Sequence, residues 1–120
     1  MKSPLVVLVV EDEPLLRMDI ACDLEDRGMD VLEAANANEA ITILQENRKV
    51  GALFTDVDMP GSMDGLGLAA TVRDRWPPIK IIVTSGHRQV TSSQMPNGSR
   101  FFGKPYNSDE VANALLEMSA

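Results

Sequence analysis

Five short apolar runs recur along the chain, and the segments between them carry helical patterns. The run "LVVLVV" (5–10) is β-branched and unbroken, as a strand buried on both faces should be. "DVLEAA" (30–35), "GALFT" (51–55), "IKIIVT" (79–84) and "RFFG" (100–103) supply four more strands. After the first strand, Pro14 suits an opening helical turn, and Leu16, Ile20 and Leu24 repeat at four-residue spacing. Gly28 stands where that helix can end in the left-handed conformation. Asn36 with Glu39 three residues on resembles a capping box, and Ala40, Ile43 and Leu44 form the next helical face. Asp64 is placed to cap a third helix, which starts with Leu66, Ala69 and Ala70 and is stopped by Pro77-Pro78. Asn107 can cap the last helix, whose buried side is Val111, Ala114, Leu115 and Met118. The segment "GHRQVTSSQMPNGS" (86–99) has no helical period and contains Pro96 and Gly98, so a short helix or an irregular stretch is expected there. Strand–helix alternation of this kind predicts an α/β fold, a doubly wound parallel sheet with helices on both faces, because right-handed crossovers leave little else.

The 120 residues are expected to form one domain, 1–120, and a 44% hydrophobic content can fill its core. The formal charge is −7. Residues 1–60 hold 13 acids and 5 bases, and residues 61–120 hold 5 acids and 6 bases, so the acid excess lies in the first half. This balance argues against direct binding to nucleic acid, where phosphate contacts need clustered Lys and Arg. Cys22 is the sole cysteine, which excludes an intrachain disulfide and fits a reducing cytoplasm. The opening apolar run, Leu5 to Val10, is too short for a secretory segment or a membrane span. The seven methionines read as gap-filling core or surface residues.

In open α/β sheets, ligands sit beyond the carboxyl ends of the strands. Strand 1 ends in Glu11, Asp12 and Glu13. Strand 3 ends in Asp56, with Asp58 just after it. Strand 4 ends in Thr84 and Ser85, and strand 5 in Gly103, Lys104 and Pro105. Carboxylates converging in one pocket repel one another, by about 4 kcal/mol for a pair at 4 Å and an effective dielectric of 20. A divalent cation relieves that repulsion, and oxygen-only ligands select a hard ion, Mg²⁺ or Ca²⁺. His87 is the one histidine, so no zinc cluster is available. Lys104 then offers a point charge to a phosphate and Thr84 a hydroxyl donor. A carboxylate can accept a phosphoryl group as an aspartyl phosphate, so the pocket suits transfer onto an Asp. Asp58 itself reads as a turn residue.

Four segments, "VVEDEPLLR" (9–17), "LFTDVDMPGSMDG" (53–65), "IIVTSG" (81–86) and "FFGKPY" (101–106), resemble the receiver domain of two-component response regulators. They run nearly end to end, and the resemblance is to single-domain, chemotaxis-regulator-like receivers. It implies a flavodoxin-like strand order of 2-1-3-4-5. It implies a Mg²⁺-dependent phosphoacceptor, Asp56, that takes its phosphoryl group from a sensor histidine kinase or phosphotransfer protein. Glu11, Asp12 and Asp56 would hold Mg²⁺, with the backbone carbonyl of Asp58 as a further ligand. Lys104 would pair with the phosphoryl group, Thr84 would be the hydroxyl switch, and Phe101 the aromatic that moves with it. The chain would not be an enzyme in the ordinary sense: it would catalyse only its own phosphorylation and dephosphorylation, then present a changed 86–106 surface to a downstream protein. Glu11 stands where many receivers have Asp, so its longer side chain is expected to reach the metal through water. Phe101 replaces the commoner tyrosine, and Ser62 is expected to re-route its loop. "DVD" (56–58) also resembles the Asp-x-Asp of haloacid-dehalogenase-type phosphatases, but that motif closes the first strand of a longer chain, whereas here it closes the third.

Overall fold

The structure is a computed structural model that describes residues 3–120. Its strands are β1 (Val6–Val10), β2 (Asp30–Ala34), β3 (Val50–Asp56), β4 (Lys80–Ser85) and β5 (Arg100–Gly103). Its helices are α1 (Pro14–Asp26), α2 (Ala37–Glu46), α3 (Gly65–Arg75) and α4 (Ser108–Ser119). All four strand pairings are parallel, and the order is β2-β1-β3-β4-β5, as the resemblance implies. Sequence neighbours β2 and β3 lie on opposite sides of β1. The chain therefore reverses its winding there, and a crevice opens at the carboxyl ends of β1 and β3.

Strand residues alternate between two cores, as the period of two demands. Val7 and Val9 of β1, Ala52 and Phe54 of β3 and Ile82 of β4 pack with Ile20 and Leu24 of α1 and Val111 and Leu115 of α4. Leu8, Val10, Leu53, Ile81 and Val83 face the other way, onto Ala40 and Leu44 of α2 and Leu68 and Val72 of α3. Each of these aliphatic side chains is almost fully buried, worth about 1.5–3 kcal/mol apiece for a Val, Leu or Ile. This double burial explains why the strands read as unbroken apolar runs.

Local signals act where expected. Pro14 opens α1, and Gly28 follows its end at φ +86°. The Asn36, Asp64 and Asn107 side chains accept from Glu39 N, Gly67 N, and Asp109 and Glu110 N. The Glu39 carboxylate bonds the N–H of Ala35 rather than that of the cap residue Asn36, one position earlier than a capping box would have it. Between β4 and β5 the chain forms only a 3₁₀ turn, Ser92–Gln94. Buried Val90 and partly buried Met95 pin this segment to the α2/α3 core, and Arg73 Nη2 donates to the Asn97 carbonyl at 3.1 Å. Among the described residues, no helix is long and apolar enough to cross a membrane.

Candidate functional site

The sheet delivers its polar groups to one edge. Glu11 and Asp12 follow the last residue of β1, Asp56 is the last of β3, and Lys104 follows the last of β5. Thr84 of β4 lies opposite Asp56 in register. The ends of β3, β4 and β5 are tied by backbone hydrogen bonds, Val57 N to Thr84 O at 2.8 Å and Lys104 N to Ser85 O at 3.0 Å, while Glu11 N ties β1 to Ala34 O of β2 at 3.1 Å. Arg17 of α1 holds the end of β1, donating to the Glu11 carbonyl at 2.9 Å while its Nε meets Glu33 at 3.1 Å.

Glu11, Asp12 and Asp56 each place a carboxylate oxygen within 4.8 Å of the others. Glu11 and Asp56 are buried and Asp12 is half-buried. Lys104 Nζ donates to Glu11 Oε1 at 2.8 Å and sits 3.3 Å from Asp56 Oδ2. The lysine thus rests between two acids. Asp56 Oδ1 and Thr84 Oγ1 are both buried and have no hydrogen-bond partner in the protein. Unpartnered buried oxygens are costly, and these two belong to residues that face each other in register on β3 and β4. The acids and Lys104 line an open cleft together with Asp58, Gly86 and His87. Gly86 lies close against the lysine stem: a Cβ there would stand 3.4 Å from Lys104 Cβ.

Burial raises the pKa of Asp56 above the ordinary carboxylate value, against the counteracting charge of Lys104. Burial likewise raises Glu11, with its hydrogen bond from Lys104 pulling the other way. Burial would lower Lys104, but its hydrogen bond to Glu11 and the Asp56 charge outweigh it and hold the ammonium form. A cation is wanted here by more carboxylate charge than one lysine can balance. The donor set is all oxygen, which fits a hard divalent ion and not zinc.

Asp58 is more than a turn residue. Its Oδ2 accepts from Ser85 Oγ at 2.5 Å, and its Oδ1 lies 3.7 Å from Arg88 Nε. Arg88 also reaches Asp64 Oδ2 at 3.5 Å. Phe101 is half-buried and packs on the α2/α3 core, beside Val83 in register. The sequence reading missed three supports of the site. Gly65 abuts the Asp56–Val57 backbone so closely that a Cβ there would lie 1.9 Å from the Asp56 carbonyl oxygen. Tyr106 stacks edge-on against Phe54, with centroids 5.3 Å apart, and burial with the Glu11 charge pushes its hydroxyl up to about 12. Arg88 carries no local signal, but the glycine directly after the Asp64 cap is a clue to close packing.

Comparison with known proteins agrees with this geometry. The family model for the response regulator receiver domain matches residues 7–116. The putative NtrX-like response regulator of Rickettsia felis is 35% identical over 117 residues, covering 94% of this chain and 24% of that protein. The chain thus spans about a quarter of that relative's length. The receiver domain of the hybrid histidine kinase CckA is 32% identical with a TM-score of 0.82, covering 96% of this chain and 99% of that one. The response regulator TrrA of Thermotoga maritima, solved in complex with Mg²⁺–BeF, shares the fold at a TM-score of 0.81 and 24% identity, covering 95% of this chain and 98% of that one.

Proposed function

The chain belongs to the response regulator receiver domain family of two-component systems, and from that premise we propose that Asp56 accepts its phosphoryl group. The observation that carries this reading is the convergence of Glu11, Asp12 and Asp56 within 4.8 Å, with Lys104 beside them and Asp56 Oδ1 unpartnered. Residues 1–120 act as one receiver domain. The donor is the phosphohistidine of a sensor histidine kinase or of a phosphotransfer protein. An Asp56 oxygen attacks phosphorus, an O–P bond forms, the P–N bond to the donor imidazole breaks, and its electron pair stays on the imidazole.

Phosphoryl transfer leaves little covalent work to the protein beyond positioning and charge stabilisation. Asp12 and Asp56 would hold Mg²⁺ directly, Glu11 through water, and the Asp58 carbonyl would complete the protein's share of ligands. Bound there, the ion would neutralise charge gathering on the phosphoryl oxygens. Lys104, already 3.3 Å from Asp56, shifts from its carboxylates onto the phosphoryl group. The Thr84 hydroxyl, buried without a partner, turns to donate to the new oxygens, and Phe101 moves with it. The change spreads over the 86–106 face, where residues 86–99 form only one 3₁₀ turn and most side chains other than Val90 and Met95 are exposed to solvent, so local rearrangement costs little. A downstream protein reads that face. The domain catalyses only its own phosphorylation and dephosphorylation, and the free thiol of Cys22 is in keeping with the cytoplasm.

The test is incubation with acetyl phosphate and Mg²⁺ followed by intact mass. One phosphoryl mass should appear, be absent with EDTA, and be removed by hydroxylamine as an acyl phosphate is. A chain that gains no mass, or whose label resists hydroxylamine, would overturn the reading.

A further inference from the structure

We propose that Arg88 is a second cation for the phosphoryl group, released from Asp64 when Asp56 is phosphorylated. The inference rests on Asp56 as phosphoacceptor and adds a residue that the site's four strand ends do not supply. Five acids, Glu11, Asp12, Glu13, Asp56 and Asp58, line the cleft against the single cation Lys104. Lys104 is already divided between Glu11 and Asp56. An added charge of about −1.5 to −2 makes this imbalance worse.

Arg88 lies beside Asp58, one of the acids of that cleft. Its Nε lies 3.7 Å from Asp58 Oδ1, and its Nη2 lies 3.5 Å from Asp64 Oδ2. Both distances are at the loose end of ion pairing, and the side chain is 44% exposed, so little holds it in its present pose. Asp58 and Asp56 line the same cleft. A guanidinium resting on an acid of this cleft is placed to turn toward a phosphoryl group on Asp56, whose oxygens suit its planar fork. Asp58 is meanwhile fixed by Ser85 Oγ at 2.5 Å and gives Arg88 a stable pivot. Leaving Asp64 also has a structural consequence. Arg88 belongs to the 86–99 segment, and Asp64 caps α3. Exchanging the partner unties that segment from the start of α3 and draws it toward the site.

Asp64 provides a clean test, because its two oxygens do different jobs. Oδ1 accepts from Gly67 N at 2.9 Å, while Oδ2 meets Arg88. Asp64→Asn keeps the cap and removes the resting partner of Arg88. The probe is beryllofluoride, titrated into the full chain at saturating Mg²⁺ and followed by the unfolding midpoint and by hydrogen exchange. Arg88→Ala should weaken beryllofluoride binding about tenfold, the scale of one charge-assisted hydrogen bond. Asp64→Asn should tighten it severalfold. The double variant should match Arg88→Ala, since Asp64 acts only through Arg88. Mg²⁺ affinity without beryllofluoride should not fall in either variant. Wild type that takes no beryllofluoride overturns the phosphoacceptor reading and this inference with it. Wild type that binds, with both single variants unchanged, overturns this inference alone. So does weakening by Asp64→Asn, which would mean Arg88 acts while anchored to Asp64.

Discussion

Replacing Gly65 by alanine should damage both stability and phosphorylation, although the residue carries no functional group. The added Cβ would lie 1.9 Å from the Asp56 carbonyl oxygen, 2.7 Å from the Asp56 carbonyl carbon and 2.8 Å from Val57 Cα. All three are backbone atoms, so no side chain can swing away. A comfortable carbon–oxygen approach is about 3.3 Å, so α3 and the end of β3 must part by roughly 1.4 Å. That movement breaks the Gly65 N to Val57 O hydrogen bond, now 2.9 Å, at about 0.5–1.5 kcal/mol. Overpacking adds about 1–3 kcal/mol, and alanine's better helix propensity returns at most about 1 kcal/mol. These terms sum to a net loss of about 0.5–4.5 kcal/mol, and the middle value of about 2.5 kcal/mol lowers the urea denaturation midpoint by about 1–2 M. Because the atoms that move belong to Asp56, acetyl phosphate labelling should also slow by about 100-fold, the usual consequence of a 1 Å misplacement. Gly103→Ala is the control, since nothing lies within 4 Å of its Cβ position and its φ is not in the left-handed range. A Gly65→Ala protein with an unchanged midpoint and wild-type labelling would refute the steric argument.

Mg²⁺ should stabilise the unphosphorylated chain by about 1.4 kcal/mol at ten times its Kd, read as a rise in unfolding midpoint over NaCl of equal ionic strength. Asp12→Ala should lose that rise, and an equal rise in the variant would count against a site built on Asp12. In EDTA, Asp56→Asn should be more stable than wild type at neutral pH. The sign follows from the raised pKa of Asp56 in the fold. As pH climbs from the ordinary value of 3.8 through the raised one, the native state holds a proton that the unfolded chain has lost, so wild-type stability falls. The gap between the two proteins should therefore close as denaturation is repeated toward pH 3.8, and a gap independent of pH would contradict it. Tyr106 is the one tyrosine, so ultraviolet absorbance reports its ionisation alone. Its hydroxyl should stay protonated past pH 10 and titrate near 12 in the folded chain, and a midpoint near 10 would refute its burial.

Much of the fold was legible because its signals are local. Pro14, Gly28, Asn36, Asp64 and Asn107 act on backbone groups within a few residues of themselves. The lack of helical period in 86–99 likewise foretold the single 3₁₀ turn at Ser92–Gln94. Glu11, Asp12, Asp56, Thr84 and Lys104 were legible for a topological reason. Each ends or follows an apolar run, and a parallel sheet brings all such ends to one edge. What stayed hidden depends on contacts between distant residues with no spacing to betray them. Ser85 meets Asp58 across 27 positions, and Arg88 meets Asp64 across 24. Lys104 was expected beside a phosphoryl group. The lysine also bonds Glu11, a partner that follows from where charge lies in three dimensions. Gly65 read as a loop residue just ahead of a helix starting at Leu66, and only the approach of α3 to β3 shows why no side chain fits there.

The most direct test of the phosphoacceptor itself is intact mass of wild type and Asp56→Asn, treated side by side with acetyl phosphate and Mg²⁺. Asn at this position lacks the nucleophilic carboxylate and changes little else in shape. Wild type should gain one hydroxylamine-labile phosphoryl mass, and Asp56→Asn should gain none. The same labile mass on Asp56→Asn would place the phosphoryl group on another carboxylate and contradict the assignment of Asp56.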